Sequence, residues 1–68
     1  MSKKQIYRIT SISEDDAYYE NREQLIGKKF IYLEVDFPLV EFIEPVSINE
    51  QYITVAKFYS MDCEKVND

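Results

Sequence analysis

The chain has 68 residues, too few for both a core and a deep substrate cavity, since a domain of about 60 residues buries only about 60% of its unfolded surface. Its content of 46% hydrophobic and 15% aromatic residues excludes a disordered class. A net charge of −5 sets it against free nucleic acid and anionic membrane, which are bound through basic clusters, and favours a protein partner, a basic one most readily.

Cys63 stands alone, whereas a small secreted domain carries paired cysteines, so a reducing cytoplasm is expected. Met1 to Gln5 lacks the apolar run of a signal peptide, and no apolar segment is long enough to span a bilayer. One domain over residues 1–68 is expected, with 1–4 and 67–68 flexible.

Gln5 to Ile12 alternates and is rich in β-branched and aromatic residues, which predicts a first strand. Ser13-Glu14-Asp15-Asp16 breaks the pattern, and Ser13 and Asp16 have the spacing of a capping box. Tyr18, Arg22 and Leu25 share one helical face and Gly27, the only glycine, supplies a left-handed stop. Residues 14–25 therefore read as a short helix, or as an irregular loop with one helical turn.

Lys28 to Phe37 predicts the clearest strand. Ile31, Leu33, Val35 and Phe37 form an unbroken apolar face, expected to be half-buried, with Lys28, Phe30, Tyr32, Glu34 and Asp36 opposite. Pro38 ends or bends that strand. Leu39 to Glu44 reads as strand-like, because Pro45 blocks a useful helix. Asn49-Glu50-Gln51 is a turn, Tyr52 to Tyr59 a strong strand, and Ser60 to Val66 continues it or pairs back. Several short strands joined by compact turns predict a mainly β fold, a small closed barrel, and closure removes exposed edges.

Asp16-Ala17-Tyr18-Tyr19, then Arg22, then Leu25-Ile26-Gly27-Lys28, together with Phe58-Tyr59 and Glu64-Lys65-Val66 near the end, resembles a pattern in small SH3-like β-barrel proteins of bacteria and their phages. Residues 34–50 depart from it, lacking the glycine-rich hairpin of that pattern. The resemblance implies an SH3-like barrel of about five strands with one short helical excursion, and a phage or mobile-element factor acting on a host protein.

The residues argue against catalysis. There is no histidine, and Cys63 has no activating partner, so it reads as a small core residue. Glu14, Asp15, Asp16, Glu20 and Glu23 read as a solvated acidic loop, without the alternating ligands and internal glycine of a calcium loop. No cofactor and no metal are expected.

Between Lys29 and Lys57 there is no basic residue, while Glu34, Asp36, Glu41, Glu44 and Glu50 alternate with large apolar groups. That interval predicts an interaction surface with an apolar centre and a charged rim, and the opposite reading is solvated strand faces over core residues. Glu34, Asp36, Glu41 and Phe42 are the first candidates for partner binding, with Tyr18 and Tyr19 second. Arg22 reads as structural, pinning the excursion through a nearby carboxylate such as Glu20 or Glu23, with an exposed anchor for a partner as the other reading. The alternative is a nucleic-acid-binding barrel using Lys28, Lys29, Phe30 and Tyr32, basic groups beside aromatics that track phosphates and stack bases. The chain acts as a monomer or as an edge-to-edge homodimer.

Overall fold

The computed structural model describes residues 4–36 and 38–67. The ends expected to be flexible therefore fall partly outside the described residues (1–3 and 68), and so does Phe37. The chain forms five antiparallel strands in one sheet: β1 (Tyr7–Ile12), β2 (Lys29–Glu34), β3 (Leu39–Ile48), β4 (Gln51–Lys57) and β5 (Met61–Lys65). The hydrogen-bonded order is β4-β3-β2-β1-β5, so the meander's last strand returns beside its first. β4 and β5 end that order, and no ladder joins them among the described residues. The fold is mainly β, as its alternating β-branched and aromatic runs require.

Three ladders of this sheet carry a register shift, that of β2 with β3 lying between Tyr32 and Glu34. In β1 the register with β5 shifts between Ile9 and Ser11. Ile9 and Ile12 are three positions apart and would face opposite ways on a regular pleat, yet both are buried. The bulge turns both inward. In β3 the register with β4 shifts between Glu41 and Val46, and Pro45 sits inside that gap. The strand therefore runs on through proline, where the ladder asks for no N–H. Between β3 and β4, Asn49 (φ 51°) and Glu50 (φ 67°) make a two-residue turn with both central residues at positive φ, the geometry whose twist matches antiparallel strands.

The excursion between β1 and β2 is a 3-10 turn, Tyr19–Asn21, running into one helical turn, α1 (Arg22–Leu25). The expected helix over 14–25 is thus confined to its second half. Ser13 and Asp16 do not cap it: Asp16 N donates to Ser13 O at 2.9 Å, closing a turn of their own. Gly27 (φ 93°) stops the helix as its sequence position implied, and its N–H donates to Ile9 O at 2.8 Å. That bond and Leu25, which is fully buried, fasten the excursion to the sheet.

Strand β2 corrects an expectation. It runs over Lys29–Glu34, not 28–37, and the chain turns at Val35 and Asp36. Its buried face is Phe30 with half-buried Tyr32, whereas Leu33 is 40% and Val35 71% exposed. The aromatic face wins because its cross-strand neighbours are aromatic too. Phe30 pairs with Tyr7 and with Phe42, and the rings of Tyr7, Phe30 and Tyr32 meet at 5.0 to 5.8 Å. Ile9, Leu25, Val40, Val46 and Phe58 are among the buried residues that form the core around them.

Candidate interaction surface

Turning Phe30 and Tyr32 inward turns the other face of β2 outward. Across three strands, Ile31 lies opposite Glu41 and Glu41 opposite Val55. Side chains in such a row stand on one face with their Cβ atoms about 5 Å apart. Two positions either way along β3 are Leu39 and Ile43, on the same face by the period of two. Glu41 is therefore a carboxylate with an aliphatic neighbour on four sides and with Lys29 and Lys57 at the diagonals of the same face. Val55 is 42% and Ile43 50% exposed, while Ile31 and Leu39 are half-buried. Glu41 itself is exposed, and its carboxylate has no hydrogen-bond or ion-pair partner among the described residues.

The expected site residues divide. Glu34, Asp36 and Glu41 are exposed along β2, its following turn and β3. Phe42 is corrected: it is 4% exposed, a core residue opposite Phe30, because its parity in β3 is that of buried Val40. Tyr18 and Tyr19 are half-buried. The Tyr18 ring packs on Phe58 at 5.1 Å, and the Arg22 guanidinium lies 4.1 Å over the Tyr19 ring. Arg22 also donates from Nη1 to Tyr19 O at 3.0 Å, so its role is structural, through an aromatic and a carbonyl in place of the expected carboxylates.

The alternative set does not converge either. Lys28 and Lys29 are exposed and line a shallow cleft of about 330 Å³ with Gly27, Ile43 and Glu44. Phe30 is fully buried, which corrects its expected place on a stacking platform. Tyr32 is half-buried in the aromatic cluster, with its hydroxyl 3.4 Å from Cys63 Sγ. Burial first, then the Cys63 contact, pushes the Tyr32 phenol up to about 12.

Asp16 is the residue that sequence reasoning missed. It was expected in a solvated acidic loop and is 4% exposed. Its Oδ2 accepts from the backbone N–H of Tyr59 at 2.6 Å and of Ser60 at 2.8 Å, and its Oδ1 from Tyr18 N–H at 2.9 Å. The outward apolar neighbours of Glu41 were also missed, although the alternation Leu39, Glu41, Ile43 places the acid on their face. Among the described residues no cluster of three metal-ligating groups occurs, and no helix is long and apolar enough to cross a membrane.

No family model, no curated protein and no solved structure matches this chain. What its fold and surface define is a small five-stranded antiparallel domain with an outward apolar sheet face centred on an acid.

Proposed function

We propose that the protein is a non-enzymatic protein-interaction module that docks through the outward face of β2, β3 and β4. The observation that carries this reading is the exposure of Ile43 (50%) and Val55 (42%) beside Glu41, which has no ion-pair partner among the described residues, with Leu33 (40%) at the register shift that follows in β2. Apolar groups at the centre with Glu34, Asp36, Lys29 and Lys57 at the margin have the composition of a docking patch. The reading extends to an SH3-like barrel and a phage or mobile-element factor that binds a host protein in the cytoplasm. The resemblance set out above and the return of β5 beside β1 support the first, and the free thiol of Cys63 suits a reducing compartment.

Edge-to-edge pairing has weaker support than a monomer. β5 presents Asp62, Glu64 and Lys65 along its edge, and β4 lies against the register gap of β3, which bends it.

The test is capture of binding partners from a bacterial lysate by the tagged chain. Wild type is expected to retain a partner that Leu33→Ser/Ile43→Ser and Glu34→Lys/Glu41→Lys both lose, with thermal unfolding of the variants unchanged. Identical retention by all three proteins would remove the outward face from the function.

A further inference from the structure

On the outward face the β2–β3 register sets four residues at the corners of one cell. Ile31 lies opposite Glu41, and two positions back along β2 Lys29 comes opposite Ile43, since Phe30 pairs with Phe42 between them. Glu41 and Lys29 therefore occupy one diagonal of the cell, about 7–8 Å apart, and Ile31 and Ile43 occupy the other. Ile43 is 50% exposed, Ile31 is half-buried, and both charged residues are exposed. Glu41 and Lys29 form no ion pair with each other or with another described residue. Lys28 and Glu44 stand at the rim, in the cleft beside Lys29. On the far side of Glu41, Lys57 lies opposite Leu39 and is already engaged in a contact of its own.

A cover that takes the water from this cell has to offer a positive charge over Glu41 and a negative one over Lys29. A purely apolar, purely basic or purely acidic cover fails at one corner or at both. A second copy of the chain meets both demands. A two-fold axis along the Ile31–Ile43 diagonal exchanges the other two corners. Glu41 of each copy then faces Lys29 of the partner subunit, and each isoleucine meets its own counterpart. Resting on the docking reading above, we infer that a second copy, stacked face to face in this way, covers the outward face when no other protein occupies it. No strand edge takes part, so this pairing is separate from an edge-to-edge dimer. The axis sets the strands of the two sheets steeply across one another, an arrangement that stacked sheets adopt. A face of three short strands is smaller than the about 800 Å² per partner of a standard interface, so the dimer is weak and a tighter partner displaces it.

Sedimentation velocity from about 10 µM to about 1 mM reads the association. Wild type is expected to pass from monomer toward dimer over this range, and Lys29→Glu and Glu41→Lys each to weaken the association at least about tenfold. Glu41→Lys lowers the net negative charge by two, so general repulsion between acidic copies would give the opposite change. Lys65→Glu, the same charge change as Lys29→Glu but on exposed β5, is expected to stay close to wild type. A further measurement mixes 15N-labelled Glu41→Lys with unlabelled Lys29→Glu. The symmetry restores opposite charges at both contacts of the mixed dimer, so amide shifts at Ile31 and Ile43 are expected in the mixture and in neither variant alone. A wild type that is monomeric throughout, single variants that associate as wild type does, a Lys65→Glu loss as large as that of Lys29→Glu, or a mixture that stays monomeric would each overturn the dimer. Lysate capture separates the two levels. If Leu33→Ser/Ile43→Ser loses a captured protein while wild type is monomeric, docking stands and the second copy falls. If capture is unaffected as well, both fall.

Discussion

The carboxylate of Asp16 holds the backbone N–H of Tyr59, 43 residues away, at 2.6 Å, and the next N–H, of Ser60, at 2.8 Å. This one side chain joins the excursion after β1 to the loop between β4 and β5. Ser13 N–H donating to Ser60 O at 3.0 Å closes the same junction from the other direction. Among the described residues no ladder joins the two segments, so Asp16 takes the part that strand pairing plays elsewhere in the sheet.

Replacing Asp16 by alanine leaves three backbone donors with no acceptor at a site 4% exposed. Hydrogen bonds to a charged group are worth about 1.5–3 kcal/mol each, and orphaned buried donors cost more than the bond alone. Asp16→Ala is expected to destabilise the fold by about 3 kcal/mol or more, a large share of what a domain this small has. Asp16→Asn, which keeps one acceptor oxygen, is expected between the two. Urea unfolding measures both, and a loss under about 1 kcal/mol for alanine would show that the junction contributes little.

How legible this was differs from element to element. β1 and β4 followed from their strand-like runs, whereas residues 60–66 left a continuation of β4 or a strand pairing back both open, and β5 is a separate strand that pairs with β1. Gly27 marked the end of the excursion because a residue free at positive φ stops a helix that way. The inward face of β2 was not legible. Ile31-Leu33-Val35 and Phe30-Tyr32 offer two apolar faces, and a shift of one residue exchanges them. What decides is the aromatic company of Tyr7 and Phe42, which is known only once the register is known. The same exchange moved Phe42 from the candidate surface to the core and brought aliphatic residues out beside Glu41. Asp16 carried no signal, since its partners are backbone groups of a distant loop.

That reassignment makes Phe42 and Leu33 behave oppositely. Phe42 is 4% exposed and Leu33 40%. Phe42→Ala is expected to cost about 3–5 kcal/mol of stability, as truncation of a buried phenylalanine does. Leu33→Ser is expected to change stability by under about 1 kcal/mol, as surface substitutions do. Thermal unfolding of the two variants decides it, and a Leu33→Ser loss as large as that of Phe42→Ala would put Leu33 back in the core.

The turn after β3 carries strain that can be relieved. Glu50 sits at φ 67°, a region where a side chain is disfavoured and glycine is not. Asn49 is a good residue for its own place in such a turn, and Asn-Gly is the favoured pair. Glu50→Gly is expected to stabilise the protein by about 0.5–1 kcal/mol, read as a higher urea midpoint with an unchanged slope. A lower midpoint would mean that Glu50 contributes an interaction outweighing its backbone strain.

Tyr32 gives the fold an alkaline limit. Burial, then the contact with Cys63 Sγ at 3.4 Å, then the negative charges that Cys63 and Tyr7 carry at high pH, raise its phenol from 10.0 to about 12. In the unfolded chain the phenol releases its proton near 10.0, while in the fold it keeps it until about 12. The unfolded state binds fewer protons between these values, so rising pH favours unfolding there. The contribution of Tyr32 is therefore complete below about pH 10 and is lost as pH rises toward about 12. Tyr32→Phe is expected to flatten that decline, and Cys63→Ala to move the Tyr32 titration down only part of the way, because burial is the larger cause. Ring-carbon resonances of labelled tyrosine follow the titration, and urea midpoints across the same pH range follow stability. A Tyr32 ring that titrates at 10.0 in the folded protein would mean that neither burial nor the sulfur contact holds its proton.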